Sequence, residues 1–119
     1  MERARFIDHK GKRIFFLDFS LCTIEDAFSV IEEARDQIRS QPEQSVLTLT
    51  NAGGGRFDSA VLQKLKEFTK DNTPYVKTAA VVGVTGLQSI AFSAIRMFTR
   101  RNFHTFDDLE KAKDFLAGC

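Results

Sequence analysis

Val46-Leu47-Thr48-Leu49-Thr50-Asn51-Ala52-Gly53-Gly54-Gly55-Arg56-Phe57-Asp58-Ser59 leaves a β-rich apolar run, crosses small flexible residues and enters a helical pattern. A second junction, Ala79-Ala80-Val81-Val82-Gly83-Val84-Thr85-Gly86-Leu87-Gln88, does the same. In an open α/β sheet such junctions gather at the carboxyl ends of the strands, where ligands usually bind. The two junctions therefore set the fold class, α/β, and the region in which to look for a site.

Upstream, Arg5-Phe6-Ile7-Asp8 and Arg13-Ile14-Phe15-Phe16-Leu17-Asp18 flank the polar His9-Lys10-Gly11-Lys12 and read as an N-terminal hairpin. Thr23 caps a first helix from Ile24 to Ser40 on an apolar face of Ile24, Ala27, Phe28, Ile31, Ala34 and Ile38, which Pro42 stops. Val46 to Thr50 is a short strand, and Asp58 caps a second helix that uses Val61, Leu62, Leu65 and Phe68 and ends at Asn72-Thr73-Pro74. Val76 to Val84, broken mainly by Lys77 and Thr78, is expected to be the central and most buried strand. A third helix from Leu87 to Arg100 gathers Leu87, Ile90, Ala91, Ala94, Ile95, Met97 and Phe98 into an arc of roughly 160°, with Phe92 outside it. Phe103 to Phe106 is a last strand, and Asp107 or Asp108 caps a final helix carrying Leu109, Ala112, Phe115 and Leu116. This β-α alternation with short connections implies a mainly parallel sheet, an opening hairpin and about four flanking helices.

At 119 residues the chain fits one domain, 1–119. Its 43% apolar and 28% charged residues are those of a soluble globular protein, and no apolar run approaches the roughly 20 residues that cross a bilayer. The charged N-terminus lacks the apolar core of a secretory signal, so a cytoplasmic location is expected, with no integral membrane association. Seventeen basic against 16 acidic residues, a net charge of +1, give no general reason to bind nucleic acid. Cys22 and Cys119 do not make a disulfide framework. Twelve Phe with one Tyr and no Trp supply large apolar area without a polar atom to satisfy. Most should be core; a few can line a pocket.

Several residue groups carry candidate chemistry. Gly53, Gly54 and Gly55 could let backbone N–H groups converge on an anion at a helix N-terminus, but Arg56-Phe57 stand where a phosphate loop needs Lys and then Ser or Thr. Thr85 either caps the third helix or meets a ligand with Gly86 and Leu87. Exposed Ser59 at the start of the second helix is the candidate phosphorylation site, opposed by neighbouring Asp58. Cys22 directly precedes a helix, which lowers a thiol pKa, but His9 in the hairpin turn and His104 in a short strand are not placed to serve it. No metal-ligand spacing occurs, and no cofactor is expected. Arg96, Arg100 and Arg101 form a basic cluster that suits a helix C-terminus or an anionic headgroup. Phe92 widens the apolar coverage of the third helix beyond a simple packing face, as a pocket wall or a homodimer contact would.

The run Val76-Lys77-Thr78-Ala79-Ala80-Val81-Val82-Gly83-Val84-Thr85-Gly86-Leu87-Gln88, continued by Phe98-Thr99-Arg100-Arg101-Asn102-Phe103 and Phe106-Asp107-Asp108-Leu109-Glu110-Lys111-Ala112, resembles the bacterial SpoIIAA-like family, which groups with STAS and CRAL-TRIO domains. The resemblance implies a STAS-like, four-to-five-stranded mixed sheet and no established activity. STAS anti-anti-sigma factors carry an Asp-Ser-Ser-Gly serine switch; its absence between Asn51 and Ser59 counts against phospho-regulation here. CRAL-TRIO domains hold lipids in an apolar cavity, for which a chain this short would offer a groove or a site completed by a second subunit. The sequence thus leads to a non-enzymatic module binding a small amphipathic or anionic, lipid-like ligand or a regulatory protein partner. Thr50, Asn51, Gly53, Gly54, Gly55, Thr85, Gly86 and Leu87 would form a polar mouth, with Phe57 and Phe92 as apolar walls. The alternatives are a phospho-regulated anti-anti-sigma-type switch at Ser59 and a weak nucleotide hydrolase.

Overall fold

The computed structural model describes residues 3–84, 87–99 and 103–119, with the backbone alone for 87, 88, 90, 91, 98 and 99. Strands β1 (Ala4–His9) and β2 (Lys12–Asp18) pair antiparallel around a tight turn in which Lys10 (φ 49°) and Gly11 (φ 80°) are both left-handed. That turn type matches the natural twist of a hairpin. Helix α1 (Ile24–Arg39) starts at a reciprocal cap: Asp26 N–H donates to Thr23 Oγ1, and Thr23 N–H donates to the Asp26 carboxylate. Strand β3 (Val46–Asn51), helix α2 (Ser59–Asn72), strand β4 (Val76–Val82), helix α3 (Leu87–Thr99), strand β5 (His104–Phe106) and helix α4 (Leu109–Ala117) follow. Asp58 caps α2 through Val61 N–H, and Asp108, the second of the two candidates, caps α4 through Lys111 N–H.

The five strands stand in chain order, β1-β2-β3-β4-β5, and every pair after the hairpin is parallel. Right-handed crossovers that always advance in one direction leave their helices on one face. Thus α1, α2 and α3 share a core with Phe15 and Leu17, while α4 returns over the opposite face onto Ile14, Phe16, Leu47, Leu49, Ala80 and Val82. Strand β4 is interior, between β3 and β5, and buried along most of its length, as its apolar run suggested, while β3 stands in the middle of the five described strands. Among the described residues no helix is long and apolar enough to cross a membrane.

The sheet faces are unequal in bulk. Along β3, Leu47 and Leu49 point to α4, and Thr48 and Thr50 to the three-helix side. Register sets Leu17, Thr50 and Val81 in one row across three strands, and Phe15, Thr48 and Ala79 in the next. Threonine and alanine there leave the floor low where leucine or isoleucine would fill it.

Candidate functional site

Among the described residues α3 packs on α2 and meets no strand as closely. A helix held off a low floor leaves space beneath it. The resulting cleft, about 90 Å³, has Leu17, Thr50 and Val81 as its floor, and Leu65, Phe68 and Thr69 of α2 as its roof. Phe92 and Ile95 of α3, with Phe57 and Phe103, form its walls. Phe92 meets Phe103 edge-on at 5.4 Å between ring centroids, and Phe57 meets Phe19 likewise at 5.9 Å. Such T-shaped pairs fix ring positions beyond what area burial alone provides. Phe57, Phe68, Phe92 and Phe103 are half-buried, so the walls are not sealed into the core.

Of the residues singled out from sequence, Thr50, Phe57 and Phe92 line this cleft. Phe92 lies outside the helical apolar arc and is nevertheless a wall, whereas Met97 inside that arc is 80% exposed. Helix α3 packs on α2, which turns Phe92 into the cleft. Thr85 and Gly86 lie outside the described residues, and Leu87 is described only as the first residue of α3.

The triple-glycine loop has a different occupation. Asn51 Oδ1 accepts from Gly53 N–H at 3.1 Å, Ala52 O accepts from Gly55 N–H, and Cys22 O accepts from Arg56 N–H. Gly53 O in turn accepts from Leu21 N–H at 3.0 Å. Those N–H groups are committed to protein acceptors rather than converging on an anion. A Cβ on Gly55 would stand 2.5 Å from Phe19 O, and one on Gly54 2.6 Å from Leu21 Cδ2. The glycines let this loop lie against the β2–α1 connection, which positions Phe57.

Cys22 is buried, and burial pushes its thiol above the usual range, the opposite of the lowering its place before α1 suggested. Its Sγ sits under Gly55 in the packed loop. His9 ends β1 rather than lying in the turn; its Nε2 is 2.8 Å from Asp114 Oδ1. His104 stacks against Phe115 at 4.6 Å. Ser59 is exposed as the first residue of α2. Arg96 is exposed and lies 5.9 Å from the Phe92 ring; Arg100 and Arg101 fall outside the described residues. No group of three or more metal-ligating side chains occurs among the described residues.

Sequence reasoning missed Thr48, Thr69 and Asn72, which line a narrower continuation of the cleft. The available signal was the Leu47-Thr48-Leu49-Thr50 alternation, together with Leu65, Thr69 and Asn72 recurring on one side of α2. No family model matches the chain, and neither does any curated protein or solved structure.

Proposed function

We propose that this protein is a non-enzymatic binding module of the SpoIIAA-like, STAS-related kind that holds a small amphipathic ligand in the cleft between α2, α3 and the sheet. The observation that carries this reading is the cleft between α2, α3 and the sheet, with four half-buried phenylalanines around the space. Exposed aromatic area of this kind is costly in water and recovers hydrophobic free energy when a ligand covers it. Binding is favoured over turnover because no titratable side chain lines the cleft among the described residues. An amphipathic occupant is favoured over an anionic one for the same reason, since an anion there would have no counter-charge. The size disfavours a full lipid tail: at about 90 Å³ the cleft is smaller than the engineered apolar cavity of about 150 Å³ that admits benzene, so a ring or short chain would fill it and reach out through its open side.

Native mass spectrometry of the freshly purified protein, followed by organic extraction, tests the reading. The expected result is an adduct that disappears on extraction and is identified in the extract. A bare mass in every preparation would count against a carried ligand.

A further inference from the structure

Beyond its aromatic walls the cleft narrows into a polar end of about 40 Å³, lined by Thr48, Thr50, Thr69 and Asn72 with apolar neighbours. The two parts share Leu17, Thr50, Phe68, Thr69 and Phe103, so they form one channel along α2. From Leu65 to Asn72 the helix rises about 10 Å, at about 1.5 Å per residue.

Asn72, the last residue of α2, is 2% exposed, and its Oδ1 has no hydrogen-bond partner. A buried amide oxygen without a donor costs the desolvation of that group, and native proteins rarely leave one so. Thr48 and Thr69, at 7% and 8% exposure, surround the same space. No charged side chain lines either part among the described residues, so an ionised head would lose its water with nothing in return. Asn72 thus lines the polar end with an amide whose oxygen, closed to water as the side chain lies, lacks a donor and meets one from the cleft once the amide turns toward that space.

We infer, resting on the binding role proposed above, that the ligand is a small neutral alcohol or phenol whose hydroxyl enters the polar end and donates to Asn72 Oδ1. Its apolar body lies against Phe57, Phe68 and Phe92. A hydroxyl suits this end better than an amine or carboxylate because it donates and accepts without charge, so its oxygen can also accept from a threonine hydroxyl.

The inference is tested by ¹⁹F NMR titration of 4-fluorophenol, 4-fluorotoluene and 4-fluorobenzoate into the wild-type protein and Asn72→Leu. In a purely apolar cleft 4-fluorotoluene wins, because its methyl group has nearly the size of the hydroxyl and no hydration to lose. The expected result is the reverse: 4-fluorophenol binds about tenfold more tightly, as a bond to an otherwise unpaired buried acceptor allows. Asn72→Leu then restores the preference for 4-fluorotoluene, and 4-fluorobenzoate shows no saturable binding. In the wild-type protein, the Asn72 side-chain amide signals shift with 4-fluorophenol and not with 4-fluorotoluene, a readout independent of how the variant folds. Saturable 4-fluorotoluene binding without a phenol preference, or equal Asn72 shifts with both probes, overturns the inference and leaves the binding cleft standing. No saturable binding of any probe removes the cleft as a site, and the inference with it.

Discussion

Gly83 shows how much of the site's geometry depends on single residues. Its φ of +82° is left-handed, and a Cβ there would stand 2.5 Å from Gly53 N and 2.7 Å from Gly53 Cα. Backbone lies on both sides of that contact, so neither can swing away as a side chain would. Gly83→Ala combines the left-handed penalty with overpacking and is expected to destabilise the protein by roughly 2–4 kcal/mol in urea unfolding. A loss within about 0.5 kcal/mol, the usual range for surface substitutions, would mean that the two loops are not pressed together. Gly83 and Gly53 were legible in sequence as turn residues, but the sequence did not tell that they face each other, because register between β3 and β4 brings them together. Thr50, Phe57 and Phe92, which line the cleft, were legible as candidates for reasons of place and apolar excess. Asn72 was not, because a polar residue near a helix end reads first as a stop signal.

At the scale of elements, caps and periodicity located the nine elements of the described residues to within a few residues at their ends. Thr23, Asp58 and Asp108 mark their helix starts by the chemistry the orphan N–H groups require. What the pattern could not give was how α3 sits, since a hydrophobic arc fixes which side is apolar and not which neighbour covers it. Helix α4 is tied to the hairpin by Asp114, whose Oδ1 lies 2.8 Å from both His9 Nε2 and Lys10 Nζ. The His9 hydrogen bond, and then that of Lys10, hold the Asp114 carboxyl below its usual range. A carboxylate depressed in the folded state adds stability above its unfolded pKa of about 4, and that stability is lost as pH falls through the lower folded value. Asp114→Asn should therefore be less stable than wild type at pH about 6, with the difference closing toward pH about 3, below the ordinary carboxylate range. Urea midpoints at the two pH values check this; a difference that persists unchanged at low pH would assign the loss to packing instead.

For the whole molecule, the strand order controls where a site can form. The expectation of a ligand region at the carboxyl strand ends came from doubly wound sheets, whose strand order reverses and opens a crevice. Here the order never reverses, so three helices crowd one face and α4 alone covers the other. Ala52 and Val84 keep one end of the cleft near the carboxyl ends, while Thr48 and Val76 carry it under the helices. The mixed five-stranded α/β architecture was readable from β-α alternation; the cleft was not, because it arises between a floor lowered at Thr48 and Thr50 and a roof that does not descend to it. Whether this space takes a ligand is read from side-chain methyl signals during titration with 4-fluorotoluene, in the wild-type protein and in Leu65→Phe, which places a ring inside the cleft. Saturable shifts are expected at Leu17, Thr50, Val81 and Ile95, and Leu65→Phe abolishes them while its other methyl signals stay dispersed. Shifts centred elsewhere, or saturable binding that survives Leu65→Phe unchanged, would contradict binding there.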